Sequence, residues 1–454
     1  MIFSGAGSQC SRQGQAPPLG EASTVMRRRE FMGALISVAA PGCALGGAEE
    51  EGQPGQDAGA GALAPAREVM AAEVAAGQMP GAVWLVARGD DVHVDAVGVT
   101  ELGGSAPMRR DTIFRIASMT KAVTATAVMM LVEEGKLDLD APVDRWLPEL
   151  ANRKVLARID GPIDETVPAE RPITVRDLMT FTMGFGISFD ASSPIQRAID
   201  ELGLVNAQPV PMTPHGPDEW IRRLGTLPLM HQPGAQWMYN TGSLVQGVLV
   251  GRVADQGFDA FVRERILAPL GMRDTEFHVP ADKLARFAGC GYFTDEQTGE
   301  KTRMDRDGAE SAYASPPAFP SGAAGLVSTV DDYLLFARML MNGGVHEGRR
   351  LLSAASVREM TADHLTPAQK AASSFFPGFF ETHGWGYGLA VITAPDVVSE
   401  VPGRYGWDGG FGTSWINDPG RELIGIVMTQ SAGFLFSGAL ERFWRSVYVA
   451  TESA

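Results

Sequence analysis

The run GAVWLVARGDDVHVDAVG, from Gly81 to Gly98, is apolar, then breaks at Gly89, Asp90 and Asp91, then alternates. This pattern predicts two strands of an antiparallel hairpin. Ahead of it, Ala64 to Ala76 has helical spacing. From about Ser118 to Phe319 the pattern turns helical, with long loops rich in Pro and Gly; TVRDLMTF and LVQGVLVGRVADQGFDAFVRERIL are two of its helical segments. Strand patterns return only late, in GTSWINDPGRELIGIVMTQ, read as two strands with a turn at Asn417 to Gly420, and LERFWRSVYVA closes the chain as an amphipathic helix. Early and late strands separated by a helical middle predict an α+β fold. Residues 62–117 and 320–454 would form one antiparallel sheet flanked by helices, with a mostly helical domain of residues 118–319 inserted.

The first 44 residues read as an export signal that starts late, with Met26 a candidate start. In MRRREFMGALISVAAPGCALGG, Arg28 and Arg29 precede an apolar run from Phe31 to Ala40 that is too short to span a bilayer. The layout resembles a twin-arginine signal and predicts an exported, periplasmic protein, or a cytoplasmic one where the signal does not function. Cys43 is a candidate lipid-attachment site and the one membrane partner expected. Residues 45–61 have linker composition, so the folded body begins near Ala62.

The 454 residues, 45% hydrophobic and 20% charged, suffice for a sizeable core. A formal net charge of -16 opposes binding to phosphate backbones and excludes nucleic acid as the expected partner. Of three cysteines only Cys290 lies in the body, and the seven histidines show no HExxH-type spacing, so neither a metal nor another cofactor is expected.

Chemistry concentrates in FRIASMTKAVTATAVMMLVEEGKL, where Met119 to Val132 is apolar on almost every face except at Lys121. Such a helix should be buried, and a buried ammonium needs a partner or loses its proton. Ser118 sits one turn earlier on the same face, at the helix start, where free backbone N–H groups favour developing negative charge. Ser-x-x-Lys placed in this way joins a nucleophile to a base of lowered pKa. Taken alone, the tetrapeptide is more often a helix cap followed by a solvent-seeking lysine.

The surrounding motifs decide between these readings. RIASMTKAVTA, LVEEGKLDLDAPVDRWLPEL, ITVRDLMTFTMGFG, PGAQWMYNTGSLVQGVLVGRV, PSGAAGLVSTVDDYLLFARMLMNGG, GWGYGLAV and GWDGGFGTSWINDP occur in this order. Together they resemble the penicillin-binding-protein and class C β-lactamase superfamily, and in detail the family VIII carboxylesterases, from about Ala64 to Tyr448. The resemblance implies the β-lactamase/transpeptidase-like fold, Ser118 as acylated nucleophile, and Lys121 with Tyr239 as a coupled proton relay in which a cationic Lys121 would favour the Tyr239 phenolate. It implies an oxyanion hole from the backbone N–H groups of Ser118 and Gly410, and substrate contacts from Trp407, Asp408, Gly409, Asn240, Thr241 and Phe181.

Two departures bear on the substrate. Thr241 stands where relatives carry an asparagine, with Asn240 one residue early, which puts β-lactam side-chain recognition in doubt. Trp407, Asp408 and Gly409 replace the usual Lys-Thr-Gly, so no cation is offered there to a substrate carboxylate and an aromatic wall stands in its place. Phe181 and Met183 also make the neighbouring loop more apolar, while Phe185, Phe375, Phe376, Phe379 and Phe380 are expected mainly in core packing. No G-x-S-x-G elbow occurs. The sequence therefore points to a serine carboxylesterase acting on small apolar acyl esters. A β-lactamase or D-alanyl-peptide hydrolase, and a non-catalytic penicillin-binding sensor, are the alternatives.

Overall fold

In the computed structural model, which describes residues 61–452 apart from 189, 191, 206–212, 291, 295–300 and 374, one seven-stranded antiparallel sheet is built from both ends of the chain. Residues 1–60, which carry the expected export signal, Met26, Cys43 and almost all of the linker, lie outside the described residues. Helix α1 (Ala64–Ala75) leads into β1 (Gly81–Arg88) and β2 (Asp91–Gly98). The central helices are α2 (Thr120–Glu133), α3 (Thr241–Ala254) and α4 (Val330–Met341). Strands β3 (His383–Trp385), β4 (Ala390–Ile392), β5 (Tyr405–Gly409), β6 (Thr413–Asp418) and β7 (Leu423–Met428) follow, and α5 (Ala439–Glu452) completes the set. The strand order is β3-β4-β5-β6-β7-β1-β2, so β1 pairs with β7 from the far end of the chain and β2 forms the edge.

The central position of β1 explains its nearly unbroken apolar sequence, because both of its faces are covered. Val83, Leu85 and Ala87 belong to the large core shared with the central helices. Ala82, Trp84 and Val86 belong to a second cluster under α1 and α5, where Phe443 meets Trp84 edge-on at 6.1 Å. The edge strand β2 keeps intermediate exposure over most of its length.

Helix α2 shows no amphipathic stripe because every residue from Thr120 to Leu131 is buried. Its threonines send their hydroxyls to backbone carbonyls: Thr124 to Gly322 O at 2.7 Å and Thr126 to Ala122 O at 2.9 Å. Lys121 is the one charge-capable residue in that stretch, and none of its surface reaches solvent.

Three features differ from the sequence expectation. Strands β3, β4 and β5 join the sheet ahead of the two late strands that the pattern predicted. Asn417 and Asp418 stay in β6 rather than turning, because the buried Asn417 amide is held from three sides. It accepts from Trp415 Nε1 at 2.8 Å and donates to Ala337 O at 2.8 Å and to the Tyr405 hydroxyl at 3.0 Å. The helical middle also carries short strand pairs, Lys154–Leu156 with Thr166–Pro168 and Tyr292–Thr294 with Lys301–Arg303. Three residues are too few for a period of two to register in a sequence.

Candidate active site

Ser118 lies in a 3-10 turn, Ala117–Met119, that runs directly into α2. The turn is pinned on all sides. Ile116 donates to Leu326 O at 3.1 Å, Leu326 N–H donates to Thr120 Oγ1 at 3.1 Å, and the Tyr333 hydroxyl donates to Met119 O at 3.0 Å. Ala117 is held at φ 42°, in the left-handed region that alanine rarely adopts. The strain sits one residue before the serine, which keeps partial exposure while Ala117 and Met119 are buried.

Lys121 follows one turn later. Its Nζ donates to Ser118 Oγ at 2.9 Å and to Ala323 O at 2.8 Å, and it lies 4.5 Å from the centre of the Tyr239 ring. Among the described residues it makes no ion pair with a carboxylate. Burial alone drives its pKa well below the ordinary lysine value.

Tyr239 comes from the segment just before α3. Its hydroxyl is hydrogen-bonded with Ser118 and accepts the Trp407 indole N–H at 2.8 Å. Burial pushes the hydroxyl pKa up, and these two hydrogen bonds act against the rise without cancelling it. Burial therefore acts against charge on both groups, in line with the lowered lysine pKa read from the buried helix and against the phenolate that the family resemblance implied. Lys121 Nζ and the Tyr239 hydroxyl both lie within hydrogen-bonding distance of Ser118 Oγ.

Asn240 takes φ 84° and ψ -55°, and Thr241 N–H donates to Tyr239 O at 3.2 Å across it, a tight γ-turn. The turn lets Tyr239 stand beside Ser118 while the chain enters α3 at Thr241. Asn240 is 7% exposed and Thr241 is 1% exposed. Both are buried and offer almost no surface to solvent.

The strand motif divides by parity. Trp407 lies opposite Trp415 in β6, and Asp408 lies opposite Ser414. Successive side chains of a strand point to opposite faces, so Trp407 meets Tyr239 while Asp408 does not. Asp408 instead accepts from Ser414 Oγ at 2.6 Å, and that same hydroxyl receives Trp444 Nε1 at 3.3 Å on the α5 side. Strand parity thus places the Asp408 side chain on the opposite sheet face from Trp407, although its charge still acts to raise the Tyr239 hydroxyl pKa. Gly409 is also buried. A Cβ there would collide with Ile116 O and Thr413 Oγ1, so the glycine allows β5 to end against the Ser118 turn. Gly410, the next residue, keeps partial exposure beside that turn.

Phe181 requires the clearest correction. It is 0% exposed, at φ 60°, and packs 4.9 Å from Trp385 and 6.1 Å from Tyr239 between ring centres. It supports Tyr239 from behind and presents no surface to a substrate. Phe185 belongs to the main core. Phe375, by contrast, stands 5.3 Å from Tyr239, and Phe379 stands 6.0 Å from Trp407. The sequence alone did not reveal the Trp407 to Tyr239 hydrogen bond or the Ala323 carbonyl. An indole N–H, which needs an acceptor when it is buried, was the signal for the first.

The hydrogen bond from Trp407 yields a direct expectation. Trp407→Phe keeps an aromatic ring but removes the donor to Tyr239, so kcat on a short ester should fall about tenfold with KM little changed. Steady-state kinetics on the purified variant measures this.

Among the described residues, no group of three or more His, Cys, Asp or Glu side chains is placed to hold a metal ion. The beta-lactamase family model matches residues 66–447. Protein Rv1367c of Mycobacterium tuberculosis is 42% identical over 361 residues, covering 78% of this chain and 86% of that protein. Esterase EstB of Burkholderia gladioli is 34% identical over 383 residues, covering 80% of this chain and 89% of the esterase. The solved structure of EstCE1, described as a hydrolase with promiscuous acyltransferase activity, superposes with a TM-score of 0.70 at 26% identity, covering 86% of this chain and 99% of that one. The antiparallel sheet assembled from both chain ends, the serine-lysine-tyrosine cluster at the head of its buried helix and these matches together make the chain a member of the beta-lactamase family of serine hydrolases.

Proposed function

We propose that the protein is a serine carboxylesterase that cleaves small apolar acyl esters through an acyl-enzyme on Ser118. The observation that carries this reading is the buried, carboxylate-free Lys121 Nζ at 2.9 Å from Ser118 Oγ. A neutral amine there takes the hydroxyl proton as Oγ attacks the ester carbonyl carbon. The resulting oxyanion would be held by the backbone N–H groups of Ser118 and Gly410. As the tetrahedral centre collapses, the C–O bond to the alcohol breaks, and the proton on Lys121 passes by way of Tyr239 to the departing alkoxide. Water then attacks the acyl carbon, gives its proton to the same pair, and frees the acid and Ser118. The similarity to an esterase over most of the chain supports this choice within the family.

Trp407 favours esters over lactams. A lysine at this position would attract a substrate carboxylate, whereas the indole offers an apolar face and spends its N–H on Tyr239. The test is kcat/KM for a short-chain p-nitrophenyl ester and for a cephalosporin, on wild type and Trp407→Lys. Wild type should prefer the ester by about 100-fold or more, and the variant should narrow that ratio, mainly by lowering ester turnover. Equal or greater lactam turnover by wild type would establish a β-lactamase. A serine label without turnover on either substrate would establish a penicillin-binding sensor.

A further inference from the structure

Two aromatic segments approach the site from different directions and touch. The first, Phe375 to Phe380, stands on the Tyr239 side. Phe375 packs 5.3 Å from Tyr239 and 6.4 Å from Trp407, and Phe376 packs at a tilt against Phe375, with ring centres 4.2 Å apart. The second segment leaves the sheet beyond the oxyanion turn. Gly412 closes that turn by donating to Gly409 O at 2.8 Å, and a Cβ on Gly412 would strike Ser431 O. Ser431 therefore lies directly against the turn, and the short helix Gly433–Phe436 begins two residues later. At its end Phe436 meets Phe376 edge-on, with ring centres 6.3 Å apart. Both phenyl groups are only partly buried.

Ser118 lies between the anchors of these segments. It is hydrogen-bonded with Tyr239 on one side, and its turn is met by the end of β5 at Gly409 on the other. The contact between Phe376 and Phe436 thus completes a chain of contacts that starts and ends at the Ser118 turn. Backbone geometry fixes the first arm: Pro377 follows Phe376, and Gly378 at φ 80° turns the chain back into Phe379–Thr382.

We propose that the Phe376 and Phe436 pair is a specificity determinant, an aromatic crossbar that sets the largest acyl group able to reach Ser118 and so selects short-chain esters. The inference rests on the Ser118 esterase reading and deepens it by naming the substrate class. On this proposal a two-carbon acyl chain would stay below the crossbar, and a ten-carbon chain would have to pass it. Removing either phenyl group opens the crossbar, and removing both adds little, because the contact is already lost in each single variant.

The test uses p-nitrophenyl acetate and p-nitrophenyl decanoate, which share a leaving group, on wild type, Phe376→Ala, Phe436→Ala and the double variant, with thermal unfolding recorded for each. The decanoate-to-acetate ratio of kcat/KM should rise about tenfold or more in each single variant, and the double should stay within about threefold of the better single. Phe376→Leu, which keeps an apolar side chain but no ring, should give an intermediate ratio and covers the case in which the alanine variant fails to fold. A ratio that stays constant, or that falls because the phenyl groups bind the long chain, overturns the crossbar while leaving the esterase reading intact. Wild type inactive on both esters overturns the esterase reading and the crossbar with it.

Discussion

Ser118→Ala is expected to lower kcat/KM for a short-chain ester by about 10,000-fold or more, leaving only what binding and oxyanion stabilisation provide. The effect is large because Ser118 Oγ is the hydroxyl that both Lys121 and Tyr239 reach. Stability should change by only about 1 kcal/mol, since the serine is partly exposed and Lys121 retains the Ala323 carbonyl as acceptor. Ester hydrolysis by the purified variant, with its urea unfolding curve, gives both numbers. A loss of less than tenfold would move the nucleophile elsewhere.

Lys121→Met should be nearly as severe, about 1,000-fold or more in kcat, because it removes the base while filling most of the same volume. Tyr239→Phe should also be strongly impaired, and the double variant should be little worse than the poorer single, as expected of two groups in one proton relay. Losses that multiply would show independent roles.

The lysine carries a second, independent signature. Its folded pKa lies well below the value of about 10.4 in the unfolded chain. Between those two values the unfolded chain holds a proton that the folded protein does not, so stability rises with pH across that window. Below the folded pKa both states are protonated, and the full destabilisation from burying the ammonium is present at constant size. The methionine variant lacks this dependence. Its stability relative to wild type should therefore be greatest at low pH and decline as pH climbs towards about 10, as read by denaturant unfolding at several pH values. A parallel pair of curves would mean that Lys121 stays charged in the folded state.

The elements that place Ser118 were legible because their signals are long or chemically costly. The hairpin from Gly81 to Gly98 broke at Gly89 and Asp90, which form its turn, while Asp91 in β2 already pairs with Arg88, and Lys121 stood out as the single charge between Thr120 and Leu131 of a helix with no polar face. The features that escaped are of another kind. Asp408 was assigned to the site with Trp407 because the two are adjacent in the motif, although neighbours in a strand face opposite ways. Phe181 was assigned by apolar character, which does not distinguish a wall exposed to substrate from a support behind it, and its full burial depends on Trp237 and Trp385 arriving from distant segments. The γ-turn at Asn240 breaks the usual preference for negative φ, and such exceptions are set by tertiary contacts that a local pattern does not carry.

The Ser118 acyl-enzyme is tested most directly by treating the native protein with a p-nitrophenyl alkylphosphonate, whose phosphorus mimics the tetrahedral centre and stays on the attacked oxygen. Peptide mapping by mass spectrometry then locates the adduct. The expected result is one equivalent on the tryptic peptide spanning residues 116–121, appearing in step with loss of ester hydrolysis and absent from Ser118→Ala. Inactivation with the adduct on Ser243, Ser321 or any other residue would contradict the assignment of Ser118 as the nucleophile.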